Sequence, residues 1–254
     1  MARTAKSFGK RIIIPFFLIA CIAIACWYLS NRYYKPAFVH YDAFGIDIPA
    51  NYSIHGIDVS RYQKEISWAD VKEMKVKNVA VGFAFIKATE GFDITDEQFE
   101  ENIRAARQAG IPAGAYHYFI PSESGKMQAQ HFLETVDLKK GDLPPVLDIE
   151  TVSGASVADL QQRVADWLDM VQKKYKALPV IYTNADFYKT FLAGRFDKYP
   201  LWVAHYLAKE KPRTDRSWLF WQHNENATVS GIATRVDFDV FNGDSTAFQK
   251  ILLQ

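Results

Sequence analysis

Cysteine is almost missing from this chain. Its 254 residues include two, Cys21 and Cys26, both inside one apolar stretch near the amino terminus. Everything beyond that stretch lacks the residue, so it carries no disulfide and no thiol chemistry. A dominant charge is missing too. Lys and Arg total 30 against 29 Asp and Glu, a formal charge of +1. Four basic residues, Arg3, Lys6, Lys10 and Arg11, precede the apolar stretch, which leaves −3 from Ile12 onward. A body so near neutral has no electrostatic footprint for nucleic acid. No glycine-rich phosphate fingerprint and no P-loop occurs, which argues against nucleotide binding. Internal repeats and low-complexity segments are absent.

The first feature present is the apolar stretch from Ile12 to Ser30, IIIPFFLIACIAIACWYLS, without a charged residue. Its length is just enough to span a bilayer. The basic residues lie before it, and no acidic residue occurs ahead of Asp42. The positive-inside rule then keeps the amino terminus in the cytoplasm and sends the remainder outward, with Trp27 and Tyr28 at the far interface. The expected layout is a cytoplasmic segment over 1–11, a single transmembrane anchor over 12–30, a linker over 31–53 and one domain over 54–254. That domain would sit on the outer side of the cell membrane. A cleaved signal peptide is the first rival, but no A-x-A site follows the stretch. The second is a lipoprotein, since Leu18 to Cys21 resembles a bacterial lipobox. Against it, the apolar run continues well past Cys21.

From His55 the pattern alternates. Strands are predicted over 55–60, 79–87, 111–119, 145–150, 178–183, 201–206, 218–223 and 236–241. Helices are predicted over 67–76, 96–109, 125–136, 157–176 and 185–193, with little helix afterwards. Leu160, Val164, Trp167, Leu168 and Val171 fall in step on one face of the longest helix. Strand and helix in alternation argue for parallel strands, and eight of them suggest an α/β fold, a β/α barrel with degenerate later crossovers. A doubly wound open sheet is the alternative.

Gly141 to Glu150, GDLPPVLDIE, is the most informative segment. An apolar run breaks into Asp148-Ile149-Glu150, as where a buried strand emerges into a polar cleft. Residues two apart on a strand share a face, so Asp148 and Glu150 look at one point. Each makes the other harder to ionise, and one can hold a proton while its neighbour stays charged. Acid-catalysed cleavage of a glycosidic bond needs that pair of states. Two solvated strand-end carboxylates would read the same way in isolation. The other strands tip the balance: Asp58, Lys87 with Glu90, Tyr116 to Tyr118, Tyr182, His205 with Tyr206, and Gln222 with His223 fall at strand ends, and Asp237 and Asp239 lie on the last strand. In barrels those ends form the active face. The aromatic content, 15%, suits a carbohydrate cleft and a core equally well.

These segments resemble the glycoside hydrolase family 25 lysozymes, the muramidases of the Chalaropsis type. The resemblance runs from His55 to Gly243 through HGIDVSRYQ, FIKATEG, AGIPAGAYHYF, GDLPPVLDIE, PVIYTN, LWVAHY, FWQ and VDFDVFNG, in the family's order. It implies a flattened, irregular barrel that cleaves the β-1,4 bond between N-acetylmuramic acid and N-acetylglucosamine in peptidoglycan glycan strands. It implies no metal and no organic cofactor. By position Glu150 matches the general acid, Asp148 its partner, Asp58 the carboxylate of the first strand and Asp237 that of the last. Asp237 is preferred to Asp239 because the family's acid directly follows the apolar residue matching Val236. Tyr116, Tyr118, Tyr182, Trp202 and Gln222 match sugar-cleft positions. A monomer is expected.

In the expected mechanism Glu150 holds the proton and Asp148 stays ionised. Either an Asp attacks the sugar directly or the substrate's own acetamide does; the sequence leaves both open. His117 is expected to be structural. Two further readings stand: a metal-dependent barrel hydrolase built on His55, His117, Asp148, Glu150 and His205, and a membrane-anchored glycan-binding protein with a silent site. The lack of H-x-H on the first strand argues against the former, the complete carboxylate set against the latter.

Overall fold

Alternating residue types along short strands set the architecture. The computed structural model describes Ile22 and residues 37–254 apart from Lys209. The chain divides into two units, Met1–Pro36 and Ala37–Gln254, and the second is treated below. Ile22 aside, the cytoplasmic segment and anchor expected over 1–30 lie outside the described residues. Among the described residues no helix is long and apolar enough to cross a membrane.

In chain order the unit contains β1 (Phe38–Tyr41), β2 (Ile46–Pro49), β3 (His55–Val59), α1 (Trp68–Glu73), β4 (Lys75–Val76), β5 (Val79–Glu90), β6 (Ile94–Thr95) and α2 (Phe99–Gln108). There follow β7 (Ala113–Tyr118), α3 (Gly125–Thr135), β8 (Val146–Asp148), α4 (Val157–Tyr175), β9 (Val180–Asn184) and α5 (Ala185–Phe187), which runs into a π-helical turn, Tyr188–Leu192. β10 (Leu201–Ala204), β11 (Phe220–Ala227), β12 (Val236–Phe241) and α6 (Ser245–Ile251) complete it. Eight strands close a barrel in the order β3-β12-β11-β10-β9-β8-β7-β5, with β5 pairing back to β3. The closed barrel replaces the open-sheet alternative.

The expectation of parallel strands throughout needs one correction. β12 runs antiparallel to both neighbours, β11 and β3. A parallel return needs a crossover of about a dozen residues or more. The stretch between Ala227 and Val236 is shorter than that, so the chain doubles back. β12 therefore begins at the barrel end where the parallel strands finish. Its second residue, Asp237, stands directly opposite Asp58.

The barrel interior is filled largely by aromatic rings: Phe83, Phe85, Trp202, Phe220 and Phe241 belong to one buried cluster. Phe85 stacks on Trp202 at 4.5 Å between ring centroids. Rings of this size fit because two inward positions are glycine. A Cβ on Gly56 would lie 2.3 Å from Phe83, and one on Gly114 2.9 Å from Phe85. Helix α6 closes the amino-terminal end of the barrel. Its Phe248 packs 5.1 Å from Phe241 and 5.8 Å from Phe83. The sequence reading missed α6, although Asp244 caps it by accepting from the Ala247 N–H at 2.8 Å. Helix α4 buries Leu160, Val164, Trp167, Leu168 and Val171, the face its periodicity predicts.

The linker expected over 31–53 also differs over its described part. β1 and β2 form an antiparallel hairpin that buries Phe44, Ile46 and Ile48 in the outer core. Phe38 packs on Trp221 at 6.0 Å and Phe44 on Phe238 at 5.2 Å. The hairpin thus covers the outer side of β11 and β12, which no crossover helix shields. Apolar residues two apart, Phe44, Ile46 and Ile48, make it a strand signal with one buried face. Because Phe44 is fully buried, Phe44→Ala should lower the unfolding free energy of residues 37–254 by roughly 3 kcal/mol. Urea denaturation reads this directly; an unchanged midpoint and slope would return the segment to the status of a linker.

Candidate active site

The carboxyl-terminal ends of the parallel strands and the start of β12 surround a cleft of about 330 Å³. Strand alternation delivers its lining. Asp58 comes from β3, Lys87 from β5, Tyr116 and Tyr118 from β7, and Asp148 from β8 with Glu150 just beyond it. Tyr182, Trp202, Gln222 and Asp237 come from β9, β10, β11 and β12. All nine residues expected at the site line this one cleft. Tyr62, Tyr206 and Glu225 join them. Tyr62 escaped the sequence reading because it sits past the strand end, on the turn Arg61–Gln63, whose capping box ties Ser60 to Gln63. Glu225 lies in an irregular stretch where the β11–β12 register shifts, and no residue pattern announces such a bulge.

A hydrogen-bond chain runs across the floor. The hydroxyls of Tyr182 and Tyr206 both donate to Gln222 Oε1, at 2.7 and 2.6 Å. Gln222 Nε2 donates to Asp58 Oδ2 at 2.7 Å. Below, Trp202 Nε1 donates to Asp239 Oδ1 at 2.8 Å. Asp239 is fully buried beneath the cleft. It does not line the cleft; it supports Trp202 and lies against Asp58. Trp202 itself is only 2% exposed, so it serves as floor more than as an open stacking platform.

Like charges dominate the electrostatics. Burial, then Asp239, holds the Asp58 carboxyl well above its ordinary range. Asp237 is pushed up to about 9, by burial first and by Asp58 next. Burial and the Glu150 charge raise Asp148 strongly. Glu150 opens to solvent within the concave cleft; partial desolvation raises it, while a hydrogen bond with Asp148 and the Lys87 ammonium pull it back. Lys87 is the one lysine lining the cleft among the described residues. It is committed to Glu90 at 2.6 Å and lies 4.8 Å from the centre of the Tyr118 ring. Burial raises both members of the pair, and Asp148 is the more deeply buried of the two. Its Oδ1 has no hydrogen-bond partner in the protein, a lesser penalty for a neutral carboxyl than for a carboxylate.

The histidines of the metal alternative are not brought together. His55 lies on the outer side of the barrel wall, 6.0 Å from Phe238, and burial lowers it to about 4. His117 stacks on Trp167 at 5.6 Å, with Thr89 on Nδ1 at 2.7 Å and Gln128 on Nε2 at 3.1 Å. It is structural, as expected. His205 Nδ1 accepts from the Arg213 N–H at 3.0 Å. Among the described residues no group of three or more potential ligands is arranged to hold a metal ion.

Comparison with known proteins gives a consistent result. The model of the glycosyl hydrolases family 25 matches residues 57–232. The protein YegX of Escherichia coli (strain K12) is 45% identical over 237 residues, 89% of this chain and 87% of the relative. Lysozyme M1 of Streptomyces globisporus is 38% identical over 213 residues, 78% and 71% of the two chains. Among solved structures, a family 25 glycosyl hydrolase from Bacillus anthracis superposes with a TM-score of 0.73 at 28% identity, over 85% of this chain and 98% of the other. The bacterial lysozyme from Streptomyces coelicolor gives a TM-score of 0.71 at 33% identity, over 79% and 97%.

The raised carboxyls fix a pH dependence. Asp237 keeps its proton up to about 9 in the folded chain and loses it near 3.9 when unfolded. The folded state therefore binds more protons between those values. Its stability from this group is full below the unfolded pKa and falls as pH rises toward 9. Asp237→Asn should melt above the native protein at pH 8 by at least roughly 2–4 °C, the shift that about 1 kcal/mol gives in a domain of this size. The gap should close near pH 4. Thermal melts at the two pH values check this, and a gap of equal size at both would remove the proton from the explanation.

Proposed function

The chain belongs to glycosyl hydrolase family 25, and from that membership we propose that it is a peptidoglycan muramidase, cleaving the β-1,4 bond between N-acetylmuramic acid and N-acetylglucosamine. One observation carries the reading. Asp148 and Glu150 face a cleft whose opposite wall bears Asp58 and Asp237 in register. The lysozyme relatives support the same chemistry.

Glu150 is the group of the pair that opens to the cleft, so it delivers the proton. Substrate binding sets the proton in place. A muramic acid acetamide whose N–H donates to Asp148 stabilises the Asp148 carboxylate, and the shared proton passes to Glu150. Glu150 then gives it to the glycosidic oxygen as the C1–O bond breaks, and the leaving sugar departs as an alcohol. The acetamide carbonyl oxygen attacks C1 and forms a cyclic oxazolinium ion. Water next attacks C1 while Glu150 takes its proton, which restores the acetamide and the acid. The acetamide route is favoured over a carboxylate nucleophile by the far wall. Asp58 and Asp237 hold protons where a nucleophile must be ionised. Tyr116, also kept protonated by burial and these carboxyls, is left as a hydroxyl donor to the sugar.

No step calls for a metal or organic cofactor. The apolar stretch 12–30 with its basic flank supports an uncleaved anchor, a linker shortened to 31–36, and a catalytic unit on the outer side of the cell membrane, facing peptidoglycan.

General acid catalysis typically contributes about 10²–10⁴-fold. Glu150→Gln should therefore lower turnover on purified peptidoglycan by at least about 100-fold with an unchanged melting curve. Mass spectrometry of native digests should show muramic acid at the new reducing ends, with or without chelator. Near-native turnover in folded Glu150→Gln would sink the assignment. The anchor is checked separately: the full chain should stay with washed membranes and keep its amino-terminal residues by mass.

A further inference from the structure

Charge is distributed unevenly between the two ends of the barrel. The cleft end presents Asp58, Asp148, Glu150, Glu225 and Asp237 with Lys87 among them. The other end is reached by the segments that lead into β8, β9 and β10. Those segments carry Lys139, Lys140, Lys173, Lys174, Lys176 and Lys198, all exposed. Among the described residues none of the six is in an ion pair. Asp137, Asp169 and Asp197 are exposed acids beside them, and Asp197 is taken by Tyr188 and Arg216. Lys173, Lys176 and Lys198 converge with Asp169 and Gln172 around a groove of about 390 Å³. Tyr175, between the lysines, donates to Val136 O at 2.7 Å, which fixes the end of α4 against the segment bearing Lys139 and Lys140. The patch is therefore held on one rigid surface.

The catalytic unit also begins on this side. Phe38 packs on Trp221, the second residue of β11, and Tyr52 packs on Trp218 just before that strand, at 5.5 Å. In sequence only residues 31–36 separate Ala37 from the apolar stretch, and two of them are Arg32 and Lys35. Six residues reach at most about 20 Å.

We propose that the lysine-rich amino-terminal end of the barrel docks on an anionic phospholipid surface and turns the cleft away from it; its biological setting rests on the anchored reading above. Juxtamembrane lysines are attracted to anionic headgroups within about a Debye length, roughly 8–10 Å. The cleft itself is lined by a single lysine among the described residues, already paired with Glu90, so the lysine patch selects one orientation. Neutral headgroups would offer no such attraction. The anchored enzyme would thereby present its cleft to glycan strands rather than to the bilayer.

Residues 37–254 suit the test, because they form one compact unit and 98% of the solved Bacillus anthracis chain is matched by 85% of this one. The protein would be sedimented with vesicles of phosphatidylglycerol and phosphatidylcholine, and with pure phosphatidylcholine vesicles. Binding is expected only to the former and should weaken as salt is raised. Lys173→Glu/Lys198→Glu should reduce it by at least about ten-fold, from attraction lost at each lysine. Lys64→Glu/Lys126→Glu, the same charge change near the cleft end, should leave it within two-fold. Equal losses in both pairs, equal binding to neutral vesicles, or lysine-dependent binding to purified sacculi without vesicle binding would each overturn the proposal. Hydrolysis of soluble glycan fragments should be unchanged in both pairs. Absence of hydrolysis in the native unit would count against the muramidase reading, while vesicle binding would still decide the docking face.

Discussion

Repulsion among buried carboxyls is the constraint on which this site depends. Asp58, Asp148, Asp237 and Asp239 share the carboxyl end of one barrel, and Glu150 stands at its mouth. Lys87, the lysine in the cleft, is taken by Glu90. Such a set persists only if some members stay protonated, since the cost of burying uncompensated anions exceeds the margin by which domains are stable. The Gln222 amide on Asp58 and the Trp202 indole on Asp239 satisfy single oxygens without adding positive charge. The arrangement keeps proton affinity high, as an acid catalyst working near neutral pH requires.

The scaffold beneath supplies the rigidity that this crowding demands. Carboxyls held against one another relax apart unless their strands are fixed. Asp58 and Asp237 are fixed by direct pairing of β3 with β12. The aromatic plug of Phe83, Phe85, Trp202, Phe220 and Phe241 fills the space behind them, with glycine at positions 56 and 114 making room. Asp239 belongs to both layers: its carboxyl anchors a ring of the plug and lies against a carboxyl of the site.

Much of this was legible in the sequence, for a definable reason. On a strand, every second residue shares a face, so polar residues closing apolar runs mark the open end of a barrel. Asp58, Tyr116, Asp148, Tyr182 and Gln222 announce themselves in this way. What stayed hidden depends on the path of the chain between strands. The reversal of β12 follows from the short Ala227–Val236 connection, and its effect is to bring Asp237 rather than Asp239 to the surface of the cleft. The hairpin over 38–49 was masked by its polar and aromatic neighbours. Tyr62 and Glu225 reach the cleft from a turn and a bulge, which have no period. The order of protonation in the Asp148–Glu150 pair depends on relative burial, which sequence spacing does not carry.

The pairing of β3 with β12 also bears on when the enzyme becomes dangerous to the cell that makes it. The first and last strands of the barrel each supply one of the facing carboxyls, so the wall joining them is the last to form as a chain emerges. Helix α6, which plugs the opposite end, follows later still. Closing so long a loop is slow compared with local folding. A nascent chain, or one cut short before Val236, presents the Asp148–Glu150 strand without its facing wall and cannot hold a sugar against it. Lytic capacity is thereby deferred until β12 has been made, and a message broken before it yields an inert fragment.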